Sequence, residues 1–186
     1  MRRCMKSMNE GRKTMDFLAL AKARYSERSF TEAKVEQEKL ERILEAGRVA
    51  PTAANRQPQR VLVVQEKDGL EKLGKAANIF KAPLALLVCC DTGKAWVRPF
   101  DGKNFADVDA SIVTDHMMIA AASLGLGSVW IGYFKPDVLR KEFALPEGWE
   151  PLAILAVGHA AGEPSSPDRH DMERLPLAET TYFEHF

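Results

Sequence analysis

The chain has 186 residues, 46% of them hydrophobic, with 26 Lys+Arg set against 26 Asp+Glu and three cysteines. That length suits one domain with room for a tail, and apolar content this high with charges of both signs excludes a disordered chain. A formal net charge of zero leaves no overall positive field that would make nucleic acid or an anionic membrane the main partner.

The charge is unevenly spread. Residues 1–14 carry Arg2, Arg3, Lys6, Arg12 and Lys13 against Glu10 alone, so this segment is +4 and the remainder −4. It has no apolar run of signal-peptide length, and Met5, Met8 and Met15 offer later starts. It reads as a disordered basic leader before a single domain over 15–186. Asp16 is placed to cap a first helix running towards Ala23. A second helix is expected over Val35–Val49, with Leu40, Ile43, Leu44 and Gly47 on one face, ended by Ala50-Pro51.

Four short apolar runs, Arg60–Gln65, Leu84–Cys90, Ser128–Phe134 and Leu152–Gly158, read as strands. They are near-continuously apolar, the pattern of a sheet covered on both faces. Between the second and third lies a helical segment, Asp109–Leu124, apolar on most of its circumference and therefore central; its cover could include a second subunit. Lys135-Pro136-Asp137 opens a short helix through about Phe143. The tail from Glu163 holds three prolines and ends near Tyr182-Phe183, aromatics that need this core or a partner's to pack on. No stretch approaches the roughly 20 apolar residues of a spanning helix.

Cys4, Cys89 and Cys90 form neither a disulfide framework nor a zinc spacing. Cys89 and Cys90 are expected to point to opposite faces of a buried strand, and a reducing, cytoplasmic location follows. His116, His159, His170 and His185 are scattered and read as structural, so no metal site is expected. P-loop, nucleophile-elbow and zinc-protease motifs are absent from the sequence.

Three motifs stand out. Arg24-Tyr25-Ser26-Glu27-Arg28-Ser29-Phe30 sets guanidinium forks and Ser hydroxyls where they suit a phosphate; by composition alone it reads sooner as a solvated helix C-terminus, where arginine is favourable anyway. Ala50-Pro51-Thr52-Ala53-Ala54-Asn55-Arg56-Gln57-Pro58 is a rigid loop dense in hydrogen-bonding groups. Leu124-Gly125-Leu126-Gly127-Ser128-Val129-Trp130-Ile131-Gly132 permits a left-handed helix cap and a close backbone approach to a ligand. It ends a helix and enters a strand, the reverse of a Rossmann fingerprint.

In this order and spacing, from Met15 to about Arg169, the motifs resemble those of the FMN-dependent nitroreductase family. The resemblance implies an α+β fold with a central mixed sheet of four to five strands flanked by helices, in an intertwined homodimer with FMN at the interface. It implies that Arg24, Tyr25 and Ser26 hold the FMN phosphate and ribityl chain. Arg28 would lie near the ribityl chain and pyrimidine edge, where a cation favours the reduced flavin. Pro51, Thr52, Ala53, Asn55 and Gln57 would reach the flavin from the neighbouring subunit, Trp130, Ile131 and Gly132 would touch the ring, and Arg169 would complete the phosphate site.

The sequence departs from the family pattern in several places. Gln59-Arg60 stand where an aromatic is usual, and Asp115-His116 replace Gln-Asn. The segment Leu73–Lys81, with Lys75 and Asn78 as contact candidates, matches poorly. Asp91–Phe105, with Trp96, Phe100 and Phe105, is either a small lid or an aromatic-anchored loop. The activity implied is electron transfer from NAD(P)H through FMN to a small electrophile such as a nitroaromatic or quinone, by ping-pong binding and with no catalytic side chain strictly required. A flavin-binding sensor or carrier without turnover, and another flavin chemistry on the same scaffold, fit the same residues.

Overall fold

A computed structural model describes residues 16–186; the basic leader and Cys4 lie outside the described residues. The first helix, α1 (Phe17–Ala23), is capped by Asp16, whose side chain accepts from the Ala19 N–H at 3.1 Å. An extended segment leads to α2 (Gln37–Val49), which buries Leu40, Ile43 and Gly47 and stops before Pro51. Then follow β1 (Gln59–Val64), α3 (Lys67–Ala76), β2 (Leu84–Asp91), α4 (Ala106–Ser123), β3 (Gly127–Ile131), α5 (Pro136–Glu142) and β4 (Trp149–Gly158). Two short helices, α6 (His170–Glu173) and α7 (Leu177–Thr180), punctuate the tail. No described helix is long and apolar enough to cross a membrane.

The strands lie in the order β1-β2-β4-β3. The expected α+β class and four strands are present, but the sheet is not mixed: each strand pair is antiparallel. Among the described residues parallel pairing is confined to an isolated bridge between Ser26 and Ser128. The apolar runs gave the strands without their directions, because direction depends on how each connection crosses the sheet. Here α3 and α5 return the chain to the side it left.

The central strands have both faces covered, as near-continuous apolarity requires. Leu84, Leu86, Val88 and Cys90 of β2 pack with α2 and α4 residues, including Ile43, Val113 and Met117. Ala85, Leu87 and Cys89 face the other way, towards Leu73 of α3 and Leu139 of α5. The two adjacent cysteines therefore do point to opposite faces, unpaired and buried. Helix α3 was not anticipated, since its apolar positions, Leu70 and Leu73, are few among lysines and acids.

The two ends of the sheet are built differently. At one, Gln59, Cys90 and Glu150 lie side by side on β1, β2 and β4, and the Cys90 thiol donates to the Ala106 carbonyl at the start of α4. At the other, Gly158 pairs with Gly127, and the segment after α1 joins the sheet through the Ser26–Ser128 and Phe30–Ala160 bridges.

Candidate functional site

The segment Arg24–Phe30 is held as an extended strap at the Gly127/Gly158 end. Glu27 N–H donates to the Ser128 carbonyl, Thr31 N–H to His159 and Ala161 N–H to Ser29, each at 2.9 Å. The strap is organised by Glu27, which is 4% exposed. Its carboxylate accepts from the Arg28 N–H (2.9 Å), the Ser29 N–H (2.8 Å) and the Tyr25 hydroxyl (2.7 Å). Burial, followed by the Glu27 hydrogen bond and charge, pushes the Tyr25 phenol up to about 12. Three donors satisfy a buried carboxylate without a cation.

Space for Glu27 comes from Gly127. A Cβ there would lie 2.8 Å from Glu27 Cγ and 2.9 Å from its Cβ. The two glycines of the third motif thus have separate tasks. Gly125, at φ +74°, caps α4: its N–H reaches the Ala122 carbonyl and Leu126 N–H that of Ala121, both at 3.0 Å, the pattern of a Schellman motif. The close approach expected of a ligand at Gly127 is made by the chain's own glutamate.

Arg24, Tyr25, Ser128, Gly125 and the apolar side chains of Leu20 and Ala122 line a cavity of about 130 Å³. Burial lowers the Arg24 pKa, as do the neighbouring charges of Arg169 and Arg174; Asp115 opposes them. Three guanidiniums share one field, and an anion placed there would relieve it. The Ser128 hydroxyl in the same wall is buried without a hydrogen-bond partner. Arg169 donates to the carbonyls of Arg24 (2.7 Å), Ser166 (2.7 Å) and Lys22 (3.1 Å). It locks the C-terminal end of α1 while lending charge. Arg174 had no motif to mark it.

Other candidates are distributed differently. Arg28 lies over the Phe80 ring, 6.0 Å from its centroid. Lys75 is paired with Glu142 at 2.9 Å, and the Asn78 side chain accepts from the Phe80 N–H, so both serve local structure. The nearby Phe80 and Lys81 have φ of 55° and 56°. Trp130 is half-buried and Ile131 buried on β3, while Gly132 emerges exposed at its end. Between Asp91 and Phe105 the chain folds back through a Val97–Asn104 bridge, anchored by Trp96 and Phe105 in edge-to-face contact at 4.8 Å. Phe100 at its tip is 93% exposed.

The loop Pro51–Gln57 lies at the opposite end of the sheet. Ala54, Asn55 and Gln57 adopt φ of 48°, 52° and 50°, a left-handed conformation that costs a non-glycine residue about 1–3 kcal/mol. The arch is held internally by Asn55 N–H to the Thr52 carbonyl, Arg56 N–H to that of Ala53, and Gln57 N–H to the Thr52 hydroxyl. From outside it is held by Asp109, whose Oδ1 accepts from the Ala53 N–H at 2.8 Å. Asp109 stands in the first turn of α4 and Ala122 in its last. At 1.5 Å per residue the two ends are about 20 Å apart. One chain therefore brings together Arg24, Tyr25, Ser26 and Arg169, and leaves Pro51–Gln57 distant from them.

Fold and cleft together define an α+β domain with a cationic site at one end of an antiparallel sheet. The nitroreductase family model matches residues 21–84 and 71–159, and the chain belongs to the nitroreductase family. It is similar to a nitroreductase family protein of Clostridium difficile 630, at 56% identity and a TM-score of 0.91, over 92% of this chain and 100% of that one. It is 34% identical to a Bacillus subtilis protein described as FMN reductase (NAD(P)H), over 82% of this chain and 69% of that protein. It is 32% identical to a Methanothermobacter thermautotrophicus protein described as an NADH dehydrogenase/NAD(P)H nitroreductase, over 88% and 87% respectively.

Proposed function

We propose that the protein is an FMN-dependent oxidoreductase that draws electrons from NAD(P)H and passes them to a small electrophile, a nitroaromatic, quinone or similar molecule. The observation that carries this reading is the Arg24 cleft, where the Arg24 guanidinium lies in the field of Arg169 and Arg174 and the wall includes Ser128, whose buried hydroxyl has no hydrogen-bond partner. That donor set suits a phosphate monoester. The cleft, at about 130 Å³, suits a phosphate and not a flavin ring, since sites for whole cofactors span roughly 300–1,000 Å³. From Gly127 to Gly132 is about 17 Å at the rise of a strand, so an extended ligand anchored at Arg24 can lie along β3 with its flat end at Trp130, Ile131 and Gly132.

In this reading Arg24, with charge from Arg169, binds the phosphate, and Tyr25 and Ser26 border the ribityl chain. Arg28 places a cation near the ring's electron-rich edge. Pro51, Thr52, Ala53, Asn55 and Gln57 are assigned to a second copy, as the family resemblance implies; within one chain they sit about 20 Å along α4 from the cleft. FMN, when bound, supplies the hydride acceptance and electron delivery. The residues bind, orient and exclude water, and no side-chain acid or nucleophile is needed. The unpaired, buried Cys89 and Cys90 support a cytoplasmic location.

Purified protein reconstituted with FMN tests the reading. Anaerobic NADH or NADPH is expected to bleach the bound flavin, and an electrophile panel to restore its colour. A protein that neither binds FMN nor gains thermal stability from it is no flavoenzyme. Bound FMN that NAD(P)H leaves oxidised makes the chain a carrier or sensor instead.

A further inference from the structure

Asp109 is the most unusual polar residue outside the strap. It is fully buried, at 0% exposure, on the same stripe of α4 as the core residues Val113 and Met117. No cation pairs with it among the described residues. Its Oδ1 accepts the Ala53 N–H at 2.8 Å, and its Oδ2 is buried without a hydrogen-bond partner. Burial raises its pKa, and the Ala53 hydrogen bond opposes that. A carboxylate so placed is costly, and packing alone would be better served by an apolar side chain. Its distinctive contribution is the bond to a loop with three non-glycine residues in left-handed conformation.

That bond is the one hydrogen bond between Pro51–Gln57 and a distant element among the described residues. The other bonds of the arch are local. The fourth residue of α4's opening turn and the first residue of the loop's short 3-10 turn are thereby fixed to each other. The helix N-terminus favours the negative charge, and a charge-assisted bond is about twice as strong as a neutral one.

We infer that Asp109 is a positioning residue for flavin binding, holding the loop Pro51–Gln57 in its strained arch through the Ala53 N–H so that the loop is preformed for the ring. The inference rests on the flavin reading above. It assigns Asp109 to the ring end of the ligand and Arg24 to the phosphate end, and FMN and riboflavin, which differ by the phosphate alone, separate the two. Asp109→Asn keeps the shape of the side chain, removes the charge and sets an amide in the buried space.

Binding of both flavins to the full-length protein is measured by fluorescence titration, well below the melting temperature of each variant. In Asp109→Asn, affinities for FMN and riboflavin are expected to fall together, by roughly tenfold, with the FMN-to-riboflavin ratio unchanged and the visible band of the bound flavin shifted. In Arg24→Ala that ratio is expected to collapse. Unchanged affinity for both flavins in a folded Asp109→Asn, alongside a collapsed ratio in Arg24→Ala, overturns the role of Asp109 and leaves the flavin reading intact. Failure of the wild-type protein to bind either flavin overturns both.

Amide exchange in the flavin-free wild-type protein needs no variant and covers the case in which Asp109→Asn does not fold. The Ala53 N–H is expected to exchange at least about tenfold more slowly than that of Ala54, which has no comparable bond. Equal rates would show that Asp109 does not hold the loop.

Discussion

Arg24 lines the cleft and its guanidinium forms no hydrogen bond to a protein acceptor among the described residues, while Arg169 and Arg174 add to the field around it. A guanidinium kept in that state is worth most to an anionic ligand. Losing one charge-assisted contact costs about 1.5–3 kcal/mol, so Arg24→Ala is expected to weaken FMN binding roughly ten- to hundredfold, measured by titration of the flavin-free protein. Unchanged affinity would remove Arg24 from the site. Arg24 and Ser26 are marked in the sequence as candidates by residue types that suit an anion, and Arg169 by the family resemblance alone. Glu27 and Asp109 were not, because both act on backbone N–H groups that any sequence possesses. A signal for Asp109 was present, however: it stands four and eight residues before Val113 and Met117, on a stripe that is otherwise apolar. Nothing comparable marks Glu27, whose burial depends on Gly127, a hundred residues later.

Helices and strands were legible wherever hydrophobic period and punctuation agreed, as at Asp16, Ala50-Pro51 and Lys135-Pro136. Strand direction was not, and neither was α3. The feature that most directly couples the fold to the site is the glycine pair Gly127–Gly158, across β3 and β4. Gly127 admits the Glu27 stem. At Gly158 a Cβ would lie 2.8 Å from Pro83 Cδ and 3.0 Å from Phe30 Cδ1, so both glycines let the strap and its neighbours close on the sheet. The proline ring cannot rotate away, and overpacking of this kind costs typically about 1–3 kcal/mol. Gly47 gives the contrast: its Cβ would meet Met117 Cγ at 2.9 Å and Sδ at 3.0 Å. Methionine adapts more readily, and alanine is favoured over glycine in a helix by up to about 1 kcal/mol. Gly158→Ala is therefore expected to lower the melting temperature clearly, by about 2–4 °C per kcal/mol lost, and to loosen FMN binding through the strap. Gly47→Ala should stay near wild type in both. Equal effects in thermal scans would mean that the sheet end tolerates a side chain and that the glycine pair does not shape the strap.

The tail leaves Met172, Leu175, Leu177 and Phe183 between 66% and 90% exposed and Phe186 fully so, while at the other end of the described chain Phe17 and Leu18 of α1 are also exposed. The sequence required the late aromatics to pack on something, and this chain's own core does not supply it. Exposed apolar surface of this kind suits a partner's cover. The family resemblance points the same way: it brings the arch beside Asp109, about 20 Å along α4 from the cleft beside Arg24, to the flavin from a neighbouring subunit. A homodimer meets both requirements with one interface, and it makes assembly and cofactor retention inseparable. Light scattering on the holoprotein is expected to give twice the 20.7 kDa of the chain. Truncation after Arg174 removes Leu175, Leu177, Tyr182, Phe183 and Phe186 but spares Arg24 and the charges of Arg169 and Arg174. It is expected to make the dimer dissociate at higher concentration, with FMN released in step. FMN held at full affinity by a 20.7 kDa monomer would place the whole site within one chain and overturn the assignment of Pro51–Gln57 to a second copy.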